Sequence, residues 1–296
     1  MKTFSGVGVA LVTPFNKDGS VDYTGLKQLV LHQINNDTNY LVVQGTTGES
    51  ATLSVQEKKE VLAFIIKINA GKLPIVLGVG GNNTNEICDK LNSGDLGGVD
   101  AILSVSPYYN KPSQKGIIAH FKKIASNTNL PIILYNVPGR TSSNMTAQTS
   151  LELASSVKNI IAIKEASGNL EQVMTIIDNK PKDFLVLSGD DALTLAHMSV
   201  GGDGVISVVA NAFPKQFSNL VSSAIKGKMD IAKENHYLLF ELIKSLFEDG
   251  NPGGVKKVLS DLNICHDYLR LPLVNINDDL SSKLELLTKR ILEKSI

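Results

Sequence analysis

Apolar positions along this chain gather into short continuous runs rather than alternating with polar ones. The runs cover residues 7–12, 40–44, 74–79, 101–105, 131–136, 160–164, 184–188 and 204–208. Each is rich in Val, Ile and Leu and bounded by turn-forming residues, the pattern of a strand buried on both faces. Between them lie amphipathic stretches with helical spacing, such as 54–70 and 147–157. Ser54 followed by Glu57 predicts a capping box at the start of the first. Eight such strands alternating with helices predict an α/β fold, a (β/α)8 or TIM barrel. A doubly wound sheet would need a phosphate-binding glycine turn after the first strand, where the chain reads Val12-Thr13-Pro14-Phe15-Asn16. From residue 214 onward helical spacing continues without strands, over 216–226, 231–247, 254–262 and 278–294. We therefore divide the chain into a barrel at 1–224 and a C-terminal α-helical domain at 225–296.

Charge narrows the function classes. Lys plus Arg and Asp plus Glu each number 29, so the formal net charge is zero. That balance offers no electrostatic footprint for nucleic acid or an anionic membrane. No apolar run reaches the ~18 residues of a spanning helix. The apolar start lacks a basic lead beyond Lys2 and a cleavage site, so it reads as a strand rather than a leader. Cys88 and Cys265 stand far apart and outside any metal-ligand spacing, as reduced thiols of a cytoplasmic protein would. Arginine occurs only at 140, 270 and 290, which leaves Arg140 as the one bidentate carboxylate clamp before residue 270.

In a barrel of this kind chemistry sits at the carboxyl ends of the strands. The sixth run ends in Lys164, which is either a strand-end lysine reaching solvent or a desolvated amine. A neutral amine attacks carbonyl carbon and forms a Schiff base. The second run ends in Gly45-Thr46-Thr47-Gly48-Glu49-Ser50, either a tight turn or a cradle whose N–H groups approach an anion. The fourth leads into Tyr108-Tyr109-Asn110-Lys111-Pro112, and the fifth into Tyr135-Asn136-Val137-Pro138-Gly139-Arg140-Thr141. Asp190-Asp191 after the seventh run has no histidine beside it and reads as helix capping rather than a metal site.

These segments, in this order and spacing, resemble the dihydrodipicolinate synthase family from about Gly6 to the C-terminal helices. The resemblance implies a class I aldolase-type reaction without metal or cofactor, because the protonated imine is the electron sink. Lys164 would form the imine with pyruvate, and the derived enamine would attack L-aspartate 4-semialdehyde. Thr46, Tyr135 and Tyr109 would relay protons. Thr46 and Thr47 would hold the pyruvate carboxylate, Arg140 that of the semialdehyde, and Gly189 and Ile206 would line the pyruvate pocket. The family's placement of Tyr109 in a neighbour's site implies a homodimer or homotetramer. Other pyruvate-dependent Schiff-base aldolases, N-acetylneuraminate lyase and sugar-acid aldolases among them, share the imine and differ at the second substrate. Ser50, Ala51, Asn82, Glu86 and Tyr108 match a pocket where many family members bind L-lysine. Val55 and Lys58 stand where lysine-sensitive members carry histidines, so weak or absent lysine inhibition is expected.

Overall fold

The computed structural model describes residues 3–93 and 96–294, the Ser93 side chain excepted, so Lys2 lies outside it. The eight strands are β1 Gly6–Ala10, β2 Tyr40–Val43, β3 Ile75–Gly78, β4 Ala101–Val105, β5 Ile132–Asn136, β6 Ile160–Glu165, β7 Leu185–Ser188 and β8 Gly204–Ser207. The helices are α1 Tyr23–Ile34, α2 Val55–Asn69, α3 Thr84–Ser93, α4 Gln114–Ala125, α5 Pro138–Thr141, α6 Ala147–Ser156, α7 Leu170–Asn179, α8 Thr194–Ser199, α9 Pro214–Ile225, α10 Met229–Ser245, α11 Gly253–Asp261 and α12 Asp278–Lys294. The strand order is β1 to β8 in one closed barrel, and every apolar run forms its strand within two residues of the expected bounds. Packing groups the chain into two units, Met1–Ser5 with Pro74–Ile206 and Gly6–Leu73 with Ser207–Ile296.

In the first unit β3 to β8 run parallel, with Tyr135 beside Lys164 and Lys164 beside Leu187. Their apolar side chains are buried almost without exception, as expected where helices cover a parallel sheet. Helix α6 packs against α4 and α7. Strand β6 runs one residue past the apolar run, to Glu165.

In the second unit β1 pairs with β2 in parallel, Val9 opposite Leu41. Gly8 leaves room for the fully buried Tyr40 ring, which a Cβ would meet at 2.0 Å. The capping box of α2 is present: Ser54 Oγ accepts from Glu57 N at 3.1 Å, and Glu57 Oε2 accepts from Ser54 N at 2.8 Å. Helix α9 opens with Pro214 in its first turn, where the missing N–H costs nothing. Helix α10 packs on α9, and both α10 and α11 pack on α12.

Candidate active site

In the first unit Lys164 stands near the carboxyl end of β6. Residues along a strand alternate between faces, so Lys164 and Glu165 at the end of β6 point to opposite sides of the sheet. Lys164 is only 6% exposed. Its Nζ lies 4.4 Å from the centroid of the Tyr135 ring, which the β5–β6 register places beside it. An ammonium over a ring face is attracted by the ring quadrupole. Just past the end of β7, the N of Gly189 donates to Glu165 O at 2.8 Å. A Cβ there would meet Ala166 Cβ at 2.6 Å and Lys164 Cε and Cγ at 3.0 and 3.1 Å. Position 189 thus has no room for a Cβ, because Ala166 first and the lysine stem second occupy the space. Ile206 is buried on β8.

Behind the lysine, Glu165 is buried among donors. Its oxygens accept from Asn136 Nδ2 (3.0 Å), Gln172 Nε2 (2.9 Å) and Ser167 N (2.7 Å). Asn136 Oδ1 accepts from Met145 N at 2.9 Å, which ties in the strand that carries Tyr135. A buried carboxylate is stable only when fully hydrogen-bonded. Here the satisfied network fixes the residues next to Tyr135 and Lys164 on adjacent strands. Sequence reading passed over this pair, although a Glu and an Asn closing two apolar strands are themselves a signal.

Tyr109 is 89% exposed and has φ of +70°. Asn110 N donates to Tyr108 O at 2.9 Å, so Tyr109 stands at the centre of a γ-turn of the rarer, strained hand. Asn82 Nδ2 also donates to Tyr108 O, at 3.2 Å. Glu86 is exposed on α3 and accepts from Asn83 Nδ2 at 3.0 Å. Arg140 is exposed on α5, and no carboxylate pairs with it among the described residues. Asp190 Oδ1 accepts from Ala192 N and Leu193 N at 2.9 and 3.3 Å, capping the turn into α8.

The second unit carries the threonines. Thr46–Gly48 forms one turn of 3-10 helix, with Thr46 exposed and Thr47 buried. Four contacts hold this turn. Thr13 Oγ1 donates to Gly48 O at 2.7 Å, and Asn251 Nδ2 donates to Thr47 Oγ1 at 3.0 Å. Glu49 accepts from Lys256 Nζ at 2.5 Å and from Arg270 N at 3.1 Å. Both side chains of the Glu49–Lys256 pair are 0% exposed. Lys256 Nζ also donates to Tyr268 O at 2.8 Å and sits 4.2 Å from the Phe15 ring centroid. Burial pulls the Lys256 ammonium below its ordinary range, with Glu49 opposing. Arg270 donates to Gly19 O, Thr52 O and Glu57. Its hydrogen bonds hold the Glu57 carboxyl down to about 2. Ser50 and Ala51 follow in a second 3-10 turn. Val55 is exposed at the start of α2, and Lys58 is half-buried. Cys88 and Cys265 are free and buried, and burial pushes the Cys265 thiol up to about 12. Lys256 escaped sequence reading because Lys256-Lys257 in a helix looks like a solvated face.

A family model described as the dihydrodipicolinate synthetase family matches residues 3–291. The 4-hydroxy-tetrahydrodipicolinate synthase of Flavobacterium psychrophilum is 52% identical over 291 residues, covering 98% of this chain and 99% of that protein. A monomeric dihydrodipicolinate synthase variant matches with a TM-score of 0.95 at 38% identity, covering 98% of this chain and 97% of that one. The chloride-inhibited dihydrodipicolinate synthase from Acinetobacter baumannii, complexed with pyruvate, matches with a TM-score of 0.94 at 39% identity, covering 98% and 99%.

Proposed function

The chain belongs to the dihydrodipicolinate synthetase family, and from that premise we propose that it is a Schiff-base lyase condensing pyruvate with L-aspartate 4-semialdehyde. This is the 4-hydroxy-tetrahydrodipicolinate synthase reaction, the first committed step toward diaminopimelate and lysine. What carries the reading is Lys164, a buried amine 4.4 Å from the Tyr135 ring centroid with glycine packed on its stem.

Lys164 Nζ adds to the ketone carbon of pyruvate and water leaves, giving a protonated imine. Loss of a methyl proton gives the enamine, whose carbon attacks the aldehyde of the semialdehyde. The amine of that second substrate then closes on the imine carbon, and the C–N bond to Lys164 breaks. Each proton transfer needs a group within hydrogen-bond reach, and we assign these to Tyr135, Thr46 and Tyr109. Thr46 and Thr47 receive the pyruvate carboxylate, with Gly189 and Ile206 lining the pyruvate site. Arg140, with no carboxylate partner among the described residues, receives the carboxylate of the semialdehyde.

The exposure of Tyr109 supports its entry into the site of a neighbouring copy in a homodimer or homotetramer. We place the enzyme in the cytoplasm, with a barrel domain at 1–224 and a helical domain at 225–296. By resemblance we assign Ser50, Ala51, Asn82, Glu86 and Tyr108 as the remnant of an L-lysine effector set, degenerate because Val55 offers no hydrogen bond. Half-inhibition below about 1 mM, roughly 4 kcal/mol of binding, would overturn that last assignment.

Borohydride reduction in the presence of pyruvate, followed by intact mass and peptide mapping, tests the assignment. A pyruvyl adduct on Lys164, absent from Lys164→Ala, together with turnover of aspartate semialdehyde is the expected result. Lys164→Arg should also be inactive, because guanidinium stays protonated. No adduct, or one on another lysine, refutes it.

A further inference from the structure

The Glu49–Lys256 pair has no part in the chemistry above, yet it is the most deeply buried charge pair among the described residues. Burying two charges costs more than packing two apolar side chains of the same volume, so such a pair does not explain itself as a source of stability. What it provides is direction. Glu49 itself has left-handed backbone, φ 50° and ψ 36°, a conformation that costs a non-glycine residue energy and persists only when its surroundings hold it. Here one carboxylate oxygen is held by Lys256 Nζ and the other by Arg270 N. Two residues earlier, Asn251 Nδ2 fixes the Thr47 hydroxyl. Three of the four contacts on the Thr46–Glu49 turn thus come from residues beyond 250.

We propose that Lys256 and Asn251 are positioning residues that set the pyruvate-carboxylate site by clamping the Thr46–Thr47 turn from the C-terminal segment. This rests on the reading of Thr46 and Thr47 given above. Neither residue touches substrate: Lys256 acts through Glu49, and Asn251 acts through Thr47.

Three variants test it: Lys256→Met, Glu49→Gln/Lys256→Met and Asn251→Ala. The measurements are the pyruvate concentration that half-saturates borohydride trapping on Lys164, kcat/KM for each substrate, and the thermal melt. Lys256→Met leaves a buried carboxylate unpaired and is expected to lower the melt and to weaken pyruvate trapping about tenfold or more. Asn251→Ala, which leaves the ion pair intact, is expected to weaken trapping roughly three- to tenfold, as for one lost hydrogen bond. The double variant, with no unpaired charge, is expected to regain the melt but not the pyruvate affinity, a separation that a purely structural role would not produce. In all three, kcat/KM for pyruvate falls while that for aspartate semialdehyde stays near wild type. Wild-type pyruvate saturation in Asn251→Ala and in the double variant overturns the proposal, even if Lys256→Met does not fold. Absence of a trapped adduct in the wild-type enzyme would instead overturn the reading of the site itself.

Discussion

Adding one methyl group at Gly189 tests how tightly Lys164 is confined. In Gly189→Ala the new carbon would stand 2.6 Å from Ala166 Cβ and 3.0 and 3.1 Å from Lys164 Cε and Cγ. Carbon atoms in contact prefer about 3.5–4.0 Å, so Ala166 has to retreat by about 1 Å and the lysine stem by about half that. Ala166 cannot retreat alone, since its N donates to Asn136 O at 2.9 Å and its neighbour Glu165 is held by three donors. Overpacking of this kind costs about 1–3 kcal/mol of stability. A displacement of about 1 Å at a reacting group costs on the order of a hundredfold in rate, so the roughly half-ångström shift of the lysine stem costs about tenfold. Gly189→Ala should therefore melt earlier and lose about tenfold in kcat/KM for pyruvate, read in a turnover assay beside a thermal melt. Gly189→Ala/Ala166→Gly removes the 2.6 Å contact and leaves the two to Lys164, so its melt should recover while its turnover recovers only in part. Turnover of Gly189→Ala within about threefold of wild type, under 1 kcal/mol of barrier, would show that the lysine is not confined from this side.

Further predictions concern the other assigned groups and acid stability. Arg140→Ala should raise KM for aspartate semialdehyde about tenfold or more with KM for pyruvate unchanged; equal effects on both would make Arg140 structural. Tyr109→Phe and Lys164→Ala subunits, each impaired alone, should recover activity on subunit exchange, and no recovery would place Tyr109 in its own chain's site. His120 is held down to about 4 by burial, so the unfolded chain binds its proton more readily. Stability should then be full above the ordinary value of about 6.5 and fall as pH drops toward about 4, by up to about 3 kcal/mol; His120→Gln should flatten that part of the profile in denaturant melts.

The strands were readable because a strand covered on both faces carries an unbroken apolar run, and Lys164 stood out as the exception that closes one. Glu165 did not, since a charged residue marks a strand's end by pattern while the structure keeps it in the ladder beside Ser188. Its burial depends on Asn136 and Gln172, which arrive from another strand and another helix. Lys256 shows the limit more sharply. Beside Lys257 it resembles a wet helical face, and its partner Glu49 lies 207 residues away, beyond any local periodicity. Tyr109 stands out in the sequence as half of a tyrosine pair, but its γ-turn with positive φ depends on backbone geometry that composition does not encode.

The clamp on the Thr46–Thr47 turn has a consequence in time. Thr47 and Asn251 are 204 residues apart, and Glu49 and Arg270 are 221. A ribosome adding about 5–20 residues per second needs roughly 10–40 s to travel from one end of that contact to the other. Throughout that interval the nascent chain carries the turn without three of the four contacts that hold it. The turn is fully held only after the last stretch of synthesis, so a prematurely released chain, even one containing every strand, would carry it without Asn251, Lys256 and Arg270.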